Sequence, residues 1–150
     1  MRVLALSGSL RRGSHNTQLL RGATAAAPRG VEVVVYDGLK AVPPYDADDD
    51  QGPEEHPEAV RALREALAGA DAVVVATPEY NSSIPGVLKN AFDWVSRPLA
   101  SSPVRNVPVV VTADGTGGQE ELVLGQDWLQ HRKVWLSFGG RRVFLARAGE

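Results

Sequence analysis

Residues 72–77, Ala-Val-Val-Val-Ala-Thr, form an almost unbroken apolar run of strand length. A strand that is apolar on both faces belongs in a sheet covered on both faces, as parallel sheets are. The same texture recurs at Val31–Tyr36 (VEVVVY) and Val107–Thr112 (VPVVVT), with shorter runs at Arg2–Ser7 and Arg141–Ala146. Pro108 cannot donate to a ladder, so it suits the first residues of its strand.

Helical patterns separate these runs. Ser14–Ala26 opens on a serine suited to an N-cap, and Pro57–Ala68 opens on a proline suited to a first turn. Ser83–Val95 carries one apolar stripe at Val87, Ala91 and Trp94 and another at Leu88 and Phe92. Gly117–Phe138 follows Thr116, which has Gln119 at capping-box spacing, and Gly139-Gly140 stops it. Five strands alternating with four helices predict an α/β fold. The expected architecture is a flavodoxin-like, doubly wound, five-stranded parallel sheet of order 2-1-3-4-5. The whole chain, 1–150, reads as one domain.

Sixteen Lys+Arg against eighteen Asp+Glu leave a net charge of -2, and the pI is about 5.9. That argues against a broad nucleic-acid or membrane footprint, though not against a small anion pocket. With no cysteine there is no disulfide, thiolate metal site or cysteine nucleophile. His15, His56 and His131 lack metal-ligand spacing, so no metal is expected. No apolar run approaches the ~20 residues of a membrane span. Val3–Leu6 is too short for a signal core, which makes it a strand of a cytoplasmic protein. The acidic stretch from Asp37 to His56 reads as a solvated linker; it lacks the spacing and glycine of a calcium loop.

Ligands of such sheets bind beyond the carboxyl ends of strands, where strand order reverses. Three loops meet there. In the first, SGSLRRGSHNT, Ser7, Ser9, Ser14, Asn16 and Thr17 are short donors, and Arg11 offers a bidentate cationic contact. A helix N-terminus behind them favours phosphate. Neither GxGxxG nor GxxxxGK[ST] is present, so the common dinucleotide and P-loop fingerprints are missing. The second, TPEYNSSIPG, supplies Tyr80 as a wall for a flat ligand, with backbone N–H groups around it. The third, from Asp114 through Gly115, Thr116 and Gly117, permits close backbone approach. A phosphate cradle, a flat wall and a glycine loop together suggest a mononucleotide with a planar ring.

Gly8-Ser9-Leu10-Arg11 with Ser14 and Asn16, and the stretch PEYNSSIPGVLKNAFDWVSRP from Pro78 to Pro98, resemble the two signatures of the NADPH-dependent FMN reductase family. The resemblance covers Met1 to about Ala113 well and continues more weakly beyond. It implies non-covalent FMN, with Ser9, Arg11, Ser14, Asn16 and Thr17 on its phosphate. Pro78, Glu79, Tyr80, Asn81 and Ser82 would lie along the ring, with Asp114, Gly115, Thr116 and Gly117 nearby. Asp114 stands where the family usually has serine. No final helix follows the fifth strand, where relatives normally have one. NAD(P)H would deliver hydride, and a quinone, free flavin or azo acceptor would take electrons in a ping-pong cycle. The flavin carries that reaction, so no catalytic side chain is named. The resemblance also implies a homodimer or a tetramer of dimers, with Lys89, Asn90, Asp93 and Arg97 structural or interfacial. The alternative is a non-enzymatic flavoprotein, either an electron carrier or a flavin-binding partner protein. A third reading is an α/β interaction domain without flavin.

Overall fold

The computed structural model describes residues 1–114, 132–137 and 142–147, with side-chain environments through residue 112. Four strands, β1 (Arg2–Ser7), β2 (Glu32–Tyr36), β3 (Ala72–Pro78) and β4 (Val109–Asp114), form one parallel sheet. Its order is 2-1-3-4, as expected for those four. Three helices connect them: α1 (His15–Ala25), α2 (Glu58–Ala68) and α3 (Gly86–Val95). Leu4 sits in register with both Val34 and Val73, and Val75 with Val111.

Alternation along the strands sorts two cores. Leu4, Leu6, Val73 and Val75 share a cluster with Val60, Leu63 and Leu67 of α2 and with Leu88, Ala91, Trp94 and Val95 of α3. Ala5 and Ala76 face the other way, onto Leu20 of α1. Each fully buried valine or leucine contributes about 1.5–3 kcal/mol. Both faces of the central strands are therefore covered, which explains why they are apolar throughout.

Helix starts differ from the sequence reading in instructive ways. α3 begins at Gly86 rather than Ser83, because Pro85 disfavours helix at Ile84. Its buried residues, Leu88, Ala91, Trp94 and Val95, draw on both predicted stripes, and Val87 with Phe92 is half-buried against the same core. Residues of both stripes thus face the chain's own core.

The C-terminal part also departs. Arg132–Ser137, expected inside a fourth helix, is a strand, β5. Arg142–Arg147, where Arg141–Ala146 was expected as the fifth parallel strand, is β6, and it pairs antiparallel with β5 in a two-stranded sheet. The run Lys133-Val-Trp-Leu-Ser is β-branched and aromatic, and a glycine pair between two such runs is a hairpin signal as much as a helix stop. The rest of the expected fourth helix, 117–131, lies outside the described residues. Among the described residues no helix is long and apolar enough to cross a membrane.

The acidic stretch is not a solvated linker. It holds a short 3-10 turn, Gly38–Ala41, and buries Leu39, Val42 and His56. The Trp94 indole N–H and the Asn90 amide both donate to the Pro43 carbonyl, at 2.9 and 2.8 Å. Asn90 Oδ1 accepts from the Tyr45 backbone N–H at 2.7 Å. Asp50 closes the clasp, accepting from the Tyr45 hydroxyl at 3.1 Å and pairing with His56 Nε2 at 2.7 Å. The His56 hydrogen bond, with help from Tyr45, holds the Asp50 carboxyl below its ordinary pKa although partial burial opposes this. Tyr45 and His56 both meet Trp94 edge to face. Arg64 of α2 then donates to the carbonyls of Trp94, Arg97 and Ser101, satisfying the end of α3. Asn90 and the Arg97 carbonyl are engaged within the chain, the structural one of the two roles the resemblance implied; Lys89 and Asp93 pair one turn apart on the surface.

Candidate functional site

Strand order reverses between β1 and β3, so the loops leaving these strands flank the expected ligand crevice. The first loop leaves β1 through Gly8, whose N–H donates to the Ala76 carbonyl at 2.8 Å. A Cβ on Gly8 would lie 2.2 Å from Thr77 Oγ1 and 3.1 Å from its Cα. Only glycine lets the loop pass this close to β3. Ser14 then caps α1, its hydroxyl accepting from the Thr17 N–H at 3.3 Å. The N–H groups of His15 and Asn16 open the helix and have no intrahelical acceptor.

Around that helix start, Ser14 and Asn16 are buried at 4% and 7% exposure, while Ser9 is half-buried. Arg11 is exposed, its backbone N–H held by Ser9 Oγ at 3.4 Å. Among the described residues no protein group pairs the Arg11 guanidinium or the Asn16 amide. Unpaired cationic, amide and N–H donors grouped at a helix N-terminus fit a phosphate. Thr17 differs from the expectation in one respect: its hydroxyl already meets Ser7 Oγ at 2.8 Å. Ser7 had counted only as one loop donor among several. Its position at the end of an apolar strand made it look like strand.

The second loop turns sharply. Tyr80 N–H donates to the Ser83 carbonyl at 2.8 Å, and Ser83 N–H returns a bond to Tyr80 at 3.1 Å. Between them Asn81 and Ser82 have φ of 53° and 59°. Two successive positive φ values make a type I′ turn, usually built from Asn-Gly. A serine in the second place costs about 1–2 kcal/mol. Strain of this kind concentrates at binding sites. Pro78 is half-buried, Glu79 and Ser82 are exposed, and Tyr80 presents its ring at 54% exposure. Thr77, given no role of its own in the sequence analysis, is the buried residue beneath both loops.

Asp114 ends β4 in register with Pro78, which brings the third loop's first residue to the same sheet edge. Gly115, Thr116 and Gly117 lie outside the described residues. An open concavity of about 580 Å3 between Asp50–Gly52 and Ser96–Leu99 is lined by none of these loops.

A family model described as NADPH-dependent FMN reductase matches residues 1–138. The chain belongs to this family. It is 44% identical over 117 residues to a quinone reductase of Escherichia coli, a match covering 78% of this chain and 61% of the relative. An NAD(P)H-dependent FMN reductase of Pseudomonas aeruginosa is 40% identical over the same 78% and 61%. Among solved structures, a flavoenzyme NAD(P)H:(acceptor) oxidoreductase from Paracoccus denitrificans superposes with a TM-score of 0.67 at 33% identity. That match covers 75% of this chain and 59% of that one. This family member thus spans about three-fifths of the length of the relatives it matches.

Proposed function

We propose that this family member is an FMN-dependent NAD(P)H oxidoreductase with a small-molecule acceptor of the quinone, azo or free-flavin kind. The observation that carries the reading is the cluster of unpaired donors at the start of α1, beside the strained turn at Asn81–Ser82. Ser9, Arg11, Ser14, Asn16 and Thr17 would hold the FMN phosphate. Residues Pro78–Ser82 would line the ring, their backbone N–H groups available to ring heteroatoms. Asp114 to Gly117 would complete the edge nearest β4. When bound, FMN supplies the hydride and electron chemistry, taking reducing equivalents from the nicotinamide nucleotide and passing them to the acceptor in alternation. The side chains bind and orient; none is assigned a proton. The names of the relatives support the substrate class, since quinone reductases and FMN reductases recur among them. We also keep the homodimer, or tetramer of dimers, and the cytoplasmic location as parts of this proposal.

Anaerobic titration of the FMN-loaded protein with NADPH and NADH tests the reading. Rapid, complete bleaching of the visible flavin band, reversed by a quinone, is the expected result. Bound flavin that neither nucleotide bleaches would favour the electron-carrier alternative. A protein that stays colourless after incubation with FMN would overturn both.

A further inference from the structure

Thr17 is the third residue of α1 and half-buried, and its hydroxyl meets Ser7; a phosphate held at the helix start would take the hydroxyl's other side. Ser7 is 7% exposed and has three oxygen or nitrogen neighbours within hydrogen-bond range. These are Thr17 Oγ1 at 2.8 Å, the Ser9 carbonyl at 3.3 Å and the Ser9 N–H at 3.4 Å. Each hydroxyl has a single proton. Two proton orders therefore compete. In one, Thr17 donates to Ser7 and Ser7 donates to the Ser9 carbonyl; Thr17 then turns only lone pairs toward the cradle and repels an anion. In the other, Ser7 accepts from the Ser9 N–H and donates to Thr17, which frees the Thr17 proton to point outward.

We propose that the Ser7–Thr17 hydroxyl pair is a specificity-determining relay, which an anionic phosphate monoester sets to the outward-donating order and a neutral ligand does not. This rests on the FMN reading above and adds to it a buried residue outside the cradle. Ser7 is a positioning residue: it touches no ligand and acts through Thr17. A hydroxyl aimed at an anion is worth more than one aimed at a neutral acceptor. The pair should therefore separate FMN from riboflavin, which has the same ring and no phosphate.

Quenching of flavin fluorescence gives dissociation constants for FMN and riboflavin without any turnover. Thr17→Val should weaken FMN roughly 10-fold or more and leave riboflavin unchanged. Thr17→Ser, which keeps the hydroxyl, should restore FMN affinity to within about 3-fold. Ser7→Ala should weaken FMN roughly 3- to 10-fold on its own. Added to Thr17→Val it should change nothing further, because its route to the ligand is already gone. Two independent, multiplying losses would overturn the relay, as would riboflavin affinity falling in step with FMN. If Ser7→Ala does not fold, the two Thr17 variants still decide. A wild type that prefers FMN over riboflavin while Thr17→Val binds FMN normally defeats the relay and leaves the FMN reading standing. A wild type that binds neither flavin defeats the FMN reading itself.

Discussion

The clasp at Tyr45, Asp50, His56 and Trp94 and the cradle at Ser9–Asn16 are both rich in polar groups, yet they use them in opposite ways. In the clasp nearly every polar group has a protein partner: the Trp94 indole, both ends of the Asn90 amide, the Tyr45 hydroxyl and His56 Nε2 are all engaged. Among the described residues only His56 Nδ1 is buried without a partner. In the cradle the Arg11 guanidinium, the Asn16 amide and the first N–H groups of α1 belong to one loop and helix start and have no protein acceptor among the described residues. A satisfied network fixes a shape. An open set of donors, met by solvent in the free protein, is available to a bound anion.

Trp94→Ala should separate the two regions most sharply. The side chain is fully buried and anchors the clasp, so the loss should be about 3–5 kcal/mol of stability by urea unfolding. FMN affinity of the folded fraction should stay near wild type; a large loss there would join what the comparison keeps apart. Arg11→Ala should do the reverse. It should cost about 1.5–3 kcal/mol of FMN binding, roughly 10- to 150-fold, with no change in apo-protein melting and none in riboflavin affinity.

Gly8→Ala should affect both quantities, since the added methyl must displace Thr77. About 1–3 kcal/mol of stability should go, along with FMN affinity, by the same unfolding and fluorescence measurements. Asp50→Asn should have the smallest effect and a definite pH signature. The Asp50 carboxyl titrates below its ordinary value in the folded protein, so it binds fewer protons there than in the unfolded chain. Its contribution, about 1–2 kcal/mol, is complete above pH ~4 and fades as pH falls through the lowered pKa. Wild type and variant should thus differ at pH 7 and converge in acid. A gap that survives full protonation of the carboxylate in strong acid would contradict its assignment to the Asp50 carboxylate.

The cradle was legible in the sequence because its parts are local: serines, an asparagine and an arginine within eight residues, between a strand and a helix. The clasp was not. Its members, Tyr45, Asp50, His56, Asn90 and Trp94, span half a hundred residues, and each alone looks like a turn former or a helix stripe. An acidic stretch with prolines carries no periodicity to betray Leu39 and Val42, which tertiary contacts bury. Gly139-Gly140 misled for a different reason: the same pair ends a helix or joins two strands, and Val134-Trp135-Leu136 suits either. Thr77 was hidden by its strand, where a small β-branched residue draws no notice.

The contact of Gly8 with Thr77 has a practical side. Loop exchange between members of the family would treat each loop as a separate cassette. Here the segment after β1 and the segment after β3 are mutually fitted at one backbone crossing. A cassette taken from one parent will meet the wrong neighbour unless the other travels with it. Chimeras that carry both segments from the same parent should express and load cofactor where single exchanges fail.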